Sequence, residues 1–211
     1  MHVAIPLYPE HTALDAVGPY TVLAFAGWTV TFVAAQPGPV LDDRGNLSIV
    51  ATASYAELPR ADVILVPGGP GTLKAATDPA LLGWISEAHE HTRWTTSVCS
   101  GSFLLAAAGL LNGVKATSHW GWLELLAGFG AEPVSERVVT DGKIVTAAGV
   151  SSGIDMALSL LAQADDATTA QTVQLAIEYD PQPPFDTGSP KKAPAELLEP
   201  ALRLINVAST R

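Results

Sequence analysis

The sequence predicts an α/β protein built on an open, mostly parallel sheet with helices on both faces. Short apolar segments of strand length alternate with longer segments of helical periodicity, the pattern of parallel sheets. Segment 62–66 (DVILV) is continuously apolar after its first residue and ends in Pro67–Gly68–Gly69, as expected of a strand buried on both faces. The 211 residues, 48% of them hydrophobic, suffice for a sizeable core, and we expect one domain over 1–211. The alternative, a helical domain with a few apolar loops, is disfavoured by DVILV and by the two-residue periodicity of the other strands.

Each further element follows from a local pattern. The predicted strands, all short and apolar, are 3–7, 28–35, 62–66 and 94–98, with 138–139 and 144–146 flanking a turn at 141–142. Residues 41–50 carry a turn signal at 43–46 and predict a small hairpin. The predicted helices, all with apolar residues at helical spacing, are 14–26, 79–91, 100–111, 119–129, 152–163 and 166–178. Segment 180–194 contains five prolines and is predicted to be stiff and extended, and 195–211 is predicted to be a single helix.

Charge and cysteine content exclude several classes of function. The 21 acidic and 11 basic residues give a formal net charge of -10, which repels phosphate backbones and anionic membranes, so we expect no nucleic-acid and no membrane partner. One cysteine excludes an intrachain disulfide framework, and no His, Asp or Glu cluster has metal-ligand spacing, so we expect no metal. The N-terminus lacks a basic region, and no apolar run reaches the roughly 18–20 residues of a membrane helix, which predicts a cytoplasmic protein.

Cys99 is the strongest candidate for a chemically reactive residue. It follows predicted strand 94–98, precedes predicted helix 100–111 and has small residues on both sides. This arrangement is typical of a nucleophile elbow, a sharp turn that presents the reactive atom at a helix N-terminus. The helix N–H groups and dipole would stabilise a thiolate, so we expect a depressed thiol pKa. A lone cysteine is more often a small buried hydrophobe, but the elbow favours the nucleophile.

Glycines follow the apolar strand 62–66 at the edge of the sheet where ligands bind. Gly68 and Gly69 would let backbone N–H groups point into the cleft, where with the N–H of Ser100 they would hold a developing negative charge. An ordinary glycine-rich turn is the simpler interpretation. A nucleotide site is excluded, because there is neither a GxGxxG pattern nor a following Lys-Ser/Thr pair.

Asp15 and His119 each allow two interpretations. Asp15 opens the first predicted helix, either as an acid stabilised by the helix dipole or as a carboxyl group that shuttles a proton to and from Cys99. His119, at a predicted junction of strand and helix, is either a general base for Cys99 or a residue that lines the pocket. Trp120 beside it is expected to form pocket wall.

Four segments together resemble the DJ-1/PfpI superfamily: DVILVPGGPGT, TSVCSGSFLLAAAGLLNG, the His–Trp pair at 119–120 and LAIEYDPQPPFDTGSP. The resemblance covers nearly the whole chain. Within the superfamily, LDAVGPY, VCSGS and the EYDPQPPF tail are most similar to the isonitrile hydratases, which convert an isonitrile to an N-substituted formamide. The resemblance implies a flavodoxin-like fold, a homodimer, an isonitrile as small-molecule substrate, and neither a metal nor an organic cofactor.

The resemblance also implies residue roles. Cys99 matches the family nucleophile and Asp15 the acidic residue that hydrogen-bonds it. Ser100 stands where a hydratase has threonine and keeps the hydroxyl group; PfpI-type proteases have histidine there, so a protease dyad is absent. On this basis the Cys99 thiolate attacks the isonitrile carbon, which Asp15 protonates, and water positioned or deprotonated by Asp15 hydrolyses the thioimidate. The N–H groups of Gly69 and Ser100 would stabilise the developing charge. The expected substrate-binding residues are Gly68, Gly69, His119 and Trp120.

Two other functions stay open at this point. A redox-sensing, stress-response protein without a dedicated substrate would use a low-pKa Cys99 that oxidises beside Asp15. A glyoxalase or deglycase acting on methylglyoxal would depend on His119 as a base. Turnover of an isonitrile separates both from the hydratase.

Overall fold

The structure, a computed structural model, describes residues 1–206. Its strands are β1 (His2–Pro6), β2 (Thr29–Ala34), β3 (Gly38–Leu41), β4 (Ser48–Ala51), β5 (Ala53–Ser54), β6 (Val63–Val66), β7 (Trp94–Val98), β8 (Lys115–Ala116), β9 (Glu132–Pro133), β10 (Val138–Asp141) and β11 (Ile144–Ala147). Its α-helices are α1 (Ala13–Phe25), α2 (Thr72–Ala75), α3 (Pro79–His91), α4 (Gly101–Ala107), α5 (Ser152–Ala164), α6 (Ala167–Ala176) and α7 (Leu198–Asn206). Two 3₁₀ helices span Leu123–Phe129 and Ala195–Leu197.

Seven strands form the central sheet, in the order β10-β11-β7-β6-β1-β2-β5. All neighbours in this sheet are parallel except β10 and β11, which form an antiparallel pair at one edge. The predicted hairpin is present as the antiparallel pair β3–β4 outside the central sheet. The predicted α/β fold with a mostly parallel, flavodoxin-like sheet is confirmed.

Alternate residues of the strands belong to two hydrophobic cores, one on each face of the sheet. In β6, Val63 and Leu65 belong to the core that also contains residues of α1, α5 and α6. Ile64 and Val66 belong to the opposite core, which contains residues of α3 and α4. The helices therefore cover both faces of the sheet, and β6 is buried on both sides, as its uninterrupted apolar sequence predicts.

The carboxyl ends of β1, β6, β7 and β11 lie at the same edge of the sheet, because these strands run parallel. In the central sheet β2 lies on one side of β1 and β6 lies on the other. The direction in which successive strands are added therefore reverses between β1 and β6. Such a reversal opens a crevice at the strand ends. Here the loops meet directly: the N–H of Thr12, after β1, donates to the carbonyl oxygen of Gly68, after β6, at 2.9 Å.

Side-chain caps and a turn fix the elements around this crevice. Asp78 caps α3 by accepting hydrogen bonds from the N–H groups of Ala80 and Leu81, an interaction of about 1 kcal/mol. In the β3–β4 turn, Asp42 Oδ1 accepts from the N–H groups of Asn46 and Leu47 at 3.1 and 3.2 Å. The turn that follows β3 is therefore tightly held.

Three helix predictions need correction. The helix predicted over 119–129 is wrong in its first part: only Leu123–Phe129 is helical, as a 3₁₀ helix, and Gly121 lowers the helix propensity of the part before it by about 1 kcal/mol. The helix predicted over 100–111 stops at Ala107, because Gly109 adopts the left-handed conformation that ends helices (φ 81°).

The C-terminal helix also differs from its prediction. The segment 180–194 before it contains neither helix nor strand, and its stiffness stays a prediction. The predicted helix 195–211 is divided into a 3₁₀ turn at Ala195–Leu197 and α7, and residues 207–211 of that prediction lie outside the described residues. Within residues 1–206, no helix is both long and apolar enough to cross a membrane.

Candidate active site

Cys99 sits on a strained turn between β7 and α4. Its φ of 59° is left-handed, a conformation that costs a non-glycine residue of the order of 1–3 kcal/mol. Its N–H donates to the carbonyl oxygens of Ala147 and Ala148 at 3.1 and 2.9 Å, and its own carbonyl accepts from the hydroxyl groups of Ser102 and Ser118. The predicted elbow is therefore present, and backbone and side chains hold it from both sides.

Asp15 lies in the first turn of α1 and is fully buried. Its Oδ2 accepts a hydrogen bond from the N–H of Gly68 at 2.9 Å, and its Oδ1 has no hydrogen-bond partner among the described residues. Burial raises the pKa of Asp15 to about 8, although the Gly68 hydrogen bond opposes the shift. The negative charge of Asp43 raises the pKa of Asp15 further, whereas the interaction with the side chain of Cys99 lowers it. Asp15 is therefore mostly a neutral acid at pH 7.

The thiol of Cys99 does not have the predicted low pKa. Burial raises the pKa of the thiol, and the carboxylate form of Asp15 raises it further. Hydrogen bonds from the N–H groups of Ser100 and Val150 lower the pKa by less. The prediction was wrong because α4 has only seven residues, and removal of the sulfur from water outweighs its N-terminal field. The resting pair is a thiol beside a carboxylic acid.

The hydroxyl group of Ser100 joins the elbow to the loop after β6. Its Oγ accepts from the N–H of Gly69 at 3.0 Å and lies 2.8 Å from Thr72 Oγ1, which lies 3.1 Å from the hydroxyl of Tyr8. Tyr8 donates its hydrogen to the carbonyl oxygen of Pro67 at 2.8 Å. Thr72 therefore donates to Tyr8, and the Ser100 hydroxyl has two acceptors within reach, Thr72 Oγ1 at 2.8 Å and the carbonyl oxygen of Gly69 at 3.3 Å.

Gly68 and Gly69 differ from their predicted role, because their N–H groups are not free. The Gly68 N–H is bound to Asp15 and the Gly69 N–H to Ser100, so the donor that Gly69 was expected to offer to a developing charge is already engaged. Neither glycine tolerates a side chain: a Cβ on Gly68 would lie 2.5 Å from the backbone nitrogen of Ser100, and one on Gly69 would lie 2.5 Å from the oxygen of Glu10.

A small cavity of about 50 Å³ opens beside the Cys99 sulfur. Its other walls are formed by Thr12, Asp43, Gly69, Pro70, Ser100, His119, Trp122, Val150 and Ile205. Because one water molecule occupies about 30 Å³ in the liquid, the cavity has room for one small group beside the sulfur. Asp15 neighbours Cys99 but is not among the residues that line the cavity.

A larger groove of about 630 Å³ adjoins this cavity and shares His119 and Val150 with it. Trp120 lines this groove and not the cavity, with its ring centroid 5.4 Å from that of His119. The structure thus brings together six of the predicted site residues: Cys99, Asp15, Ser100, Gly68, Gly69 and His119. It places Trp120 in the adjoining groove, next to the ring of His119.

His119 is a hydrogen-bond donor rather than a base in this arrangement. Burial lowers the pKa of His119 to about 4, so the imidazole is neutral at physiological pH. Its Nδ1 accepts from the N–H of Gly121 at 3.1 Å, which leaves the hydrogen on Nε2. The acceptor nitrogen is therefore occupied, and His119 is not positioned to take a proton from Cys99. Among residues 1–206, no three His, Cys, Asp or Glu side chains are grouped as metal ligands.

Comparison with known proteins identifies the family. A model of the DJ-1/PfpI family matches residues 1–163. The chain belongs to the DJ-1/PfpI family. It is 42% identical over 202 residues to isonitrile hydratase of Pseudomonas putida, which covers 95% of this chain and 88% of that enzyme. This DJ-1/PfpI protein also matches the crystal structure of a ThiJ/PfpI family protein from Pseudomonas syringae, with a TM-score of 0.92, 41% identity, and coverage of 100% of this chain and 90% of that one.

A further relative carries an additional region. The transcriptional regulator CdhR of Pseudomonas aeruginosa is 33% identical over 156 residues, which are 71% of this chain but 43% of the regulator. This DJ-1/PfpI chain therefore spans less than half of the regulator's length.

Sequence reasoning missed several residues of the site in this DJ-1/PfpI protein. Tyr8 and Thr72 complete the hydroxyl chain, and Val150 supplies an N–H to the sulfur. Asp43 was used only as a turn signal, although its side chain lines the cavity. Its acidic side chain at a turn next to a strand end was the available signal, whereas a backbone N–H such as that of Val150 leaves none.

Proposed function

We propose that this protein is an isonitrile hydratase, which converts an isonitrile to an N-substituted formamide through a thioimidate on Cys99 with Asp15 as acid and base. The observation that carries the proposal is the buried pair formed by Asp15, in the first turn of α1, and Cys99, on the strained turn after β7. The 42% identity to the Pseudomonas putida isonitrile hydratase over 95% of the chain supports it.

The first step suits a neutral pair, because an isonitrile carbon is both nucleophilic and electrophilic. The Cys99 sulfur forms a bond to the terminal carbon, Asp15 gives its proton to that carbon, and the thiol proton moves to Asp15. The sum is the addition of S–H across one carbon, so no isolated thiolate is needed. The N–H groups of Ser100 and Val150 face the sulfur and stabilise the partial negative charge that it carries during the transfer.

Water then hydrolyses the thioimidate. The carbon gains the oxygen of water, and the nitrogen gains a proton from Asp15. The two protons of water replace the one that Asp15 gave and protonate the sulfur as the carbon–sulfur bond breaks, which releases the formamide and restores Cys99. The cavity accommodates the isocyano group, and the groove beyond His119 and Val150 accommodates the substituent on nitrogen. His119 and Trp120 are in this proposal residues that contact the substituent.

The competing functions fit the site less well. A redox sensor requires an accessible thiol of low pKa, and Cys99 is buried with a raised pKa. A glyoxalase that uses His119 as base requires a free acceptor nitrogen, and Nδ1 is bound to the N–H of Gly121.

The test is a substrate panel with two variants. Wild-type protein is incubated with para-nitrophenyl isocyanide or methylglyoxal, and formamide and residual methylglyoxal are quantified. We expect formamide, a decrease of about 10²-fold or more in Asp15→Asn, and a much smaller decrease in His119→Ala. The proposal fails if folded, reduced wild type makes no formamide, and consumption of methylglyoxal that His119→Ala abolishes would favour the glyoxalase.

A further inference from the structure

Asp43 places a second carboxyl group in the wall of the Cys99 cavity. It belongs to the turn between β3 and β4, and this turn is fixed to the loop after β1 because the N–H of Asp43 donates to the carbonyl oxygen of His11 at 2.9 Å. The hydroxyl group of Thr12 donates to Asp43 Oδ2 at 3.2 Å, and the side chain is 8% exposed. Arg44 Nε lies 3.7 Å from the same oxygen. The carboxyl group is therefore oriented from one side, and it faces the cavity.

Hydrolysis of the thioimidate needs a proton acceptor that touches the water. This argument rests on the proposed function. After the first step Asp15 is again a carboxylic acid, which is ready to protonate the nitrogen but not to accept a proton from water.

The other polar groups of the cavity do not supply this base. The acceptor nitrogen of His119 is bound to the N–H of Gly121. The hydroxyl groups of Thr12 and Ser100 are already hydrogen-bonded, Thr12 to Asp43 and Ser100 to Thr72 and Gly69, and neither is a base. Among the described residues that line the cavity, Asp43 alone carries a carboxyl group.

We propose that Asp43 is the base that accepts the proton of water in the hydrolytic half-reaction, and that Asp15 is the proton donor in both half-reactions. The cavity measures about 50 Å³ and both Cys99 and Asp43 line it, so a water molecule next to the thioimidate carbon lies in the same small space as the Asp43 carboxyl group. Thr12 is a positioning residue, since it acts by orienting Asp43.

The protons balance when Asp43 accepts the proton of water and Asp15 donates the proton to nitrogen. Water forms its bond to the thioimidate carbon and gives one proton to Asp43, while Asp15 gives its proton to nitrogen. The tetrahedral intermediate then gives its hydroxyl proton to Asp15 as the carbon–oxygen double bond forms. The carbon–sulfur bond breaks, and the sulfur takes the proton held by Asp43. The formamide leaves, and Asp15, Asp43 and Cys99 return to their starting states.

The experiment separates the two half-reactions by the mass of the protein. Wild type and variants are mixed with para-nitrophenyl isocyanide, quenched at intervals and analysed by intact-mass spectrometry, with formamide measured in parallel. In Asp43→Asn we expect the adduct on Cys99 to form and to accumulate, with formamide release slowed about 10²-fold. Thr12→Val should also accumulate adduct, with a slowing of about tenfold. Asp15→Asn should form little adduct.

Asp186→Asn is the control, because Asp186 is an exposed acidic residue that pairs with Lys192 and lines neither the cavity nor the groove. It should leave the ratio of adduct to formamide at the wild-type value. The proposal is overturned if folded Asp43→Asn shows the wild-type adduct fraction and formamide rate, or if it forms no adduct. If wild type gives neither adduct nor formamide, the proposed function itself fails, and this outcome is distinct from a failure of Asp43 alone.

Discussion

The N–H of Gly68 donates to Oδ2 of Asp15 at 2.9 Å, and Oδ1 of the same carboxyl group accepts no hydrogen bond from the described residues. An amide donor needs an oxygen with a free lone pair, so the proton of the neutral acid resides on Oδ1. Because the pKa of Asp15 is raised to about 8, this proton is present at neutral pH. The glycine therefore holds the carboxyl group in the orientation and protonation state of a proton donor.

The pH dependence of turnover should report the proton on Asp15. The acid form is required for addition to the isonitrile, and it is lost as the pH rises through about 8. We expect kcat/KM to be nearly constant from pH 6 to 7 and to fall tenfold per pH unit well above pH 8. Initial rates at low substrate concentration measure the profile. A profile that rises from pH 7 to 9 would show that a thiolate, and not the Asp15 acid, limits the reaction.

The stability of the fold should depend on the same proton with a defined sign. The pKa of Asp15 is higher in the folded chain, about 8, than the ordinary value of 3.8, so the folded state keeps a proton that the unfolded state has lost. Between these two values the contribution of Asp15 to stability falls with rising pH, by about 1.4 kcal/mol per unit.

Asp15→Asn removes this titration, so the difference in Tm between the variant and the wild type should shift in favour of the variant from pH 5 to pH 8. Thermal unfolding of both proteins across this range measures the difference. A difference that does not change with pH would contradict a raised pKa at Asp15.

The hydroxyl chain should make Thr72 important for stability. Thr72→Val removes the hydroxyl group between Tyr8 and Ser100 and with it two buried hydrogen bonds, at a cost of about 1–3 kcal/mol. Thr77→Val is the control, because the Thr77 hydroxyl donates to the carbonyl of Lys74 at an exposed position, and it should change stability by less than about 0.5 kcal/mol. Urea denaturation measures both changes in the free energy of unfolding. Equal effects of the two substitutions would show that the hydroxyl chain does not stabilise the fold.

Two glycines should respond to alanine in opposite ways. A Cβ on Gly101 would lie 2.1 Å from the backbone oxygen of Val66, so Gly101→Ala should destabilise the fold by about 3 kcal/mol or more. A Cβ on Gly83, inside α3, meets nothing within 4 Å, so Gly83→Ala should stabilise the fold by about 0.5–1 kcal/mol. Thermal unfolding of the two variants compares them directly. A stable Gly101→Ala protein would show that the elbow packs less closely than described.

The sequence predicts the sheet well because its strands are marked by strong local signals. The uninterrupted apolar run of β6 and the turn of the β3–β4 hairpin both correspond to observed elements. It predicts less well where tertiary structure or glycine decides the conformation. The segment around His119 has helical spacing but forms a loop, and a helix end such as that at Ala107 depends on the backbone of Gly109.

The candidate site shows the same division. Cys99 and Asp15 were found because each follows a strand and carries a reactive group. The pKa of Cys99 was predicted with the wrong sign, because the extent of burial depends on all the elements packed around the elbow. Asp43 was missed because its position in the cavity depends on how a hairpin outside the central sheet docks against the loop after β1.

The most direct test of the central claim is steady-state turnover of para-nitrophenyl isocyanide by wild type and by Cys99→Ala. Removal of the sulfur leaves Asp15, Ser100 and Asp43 in place, so only the covalent route is lost. We expect the wild type to produce the N-substituted formamide catalytically and Cys99→Ala to produce none above the uncatalysed rate. Formamide production by folded Cys99→Ala at a rate comparable to that of the wild type would contradict covalent catalysis by Cys99.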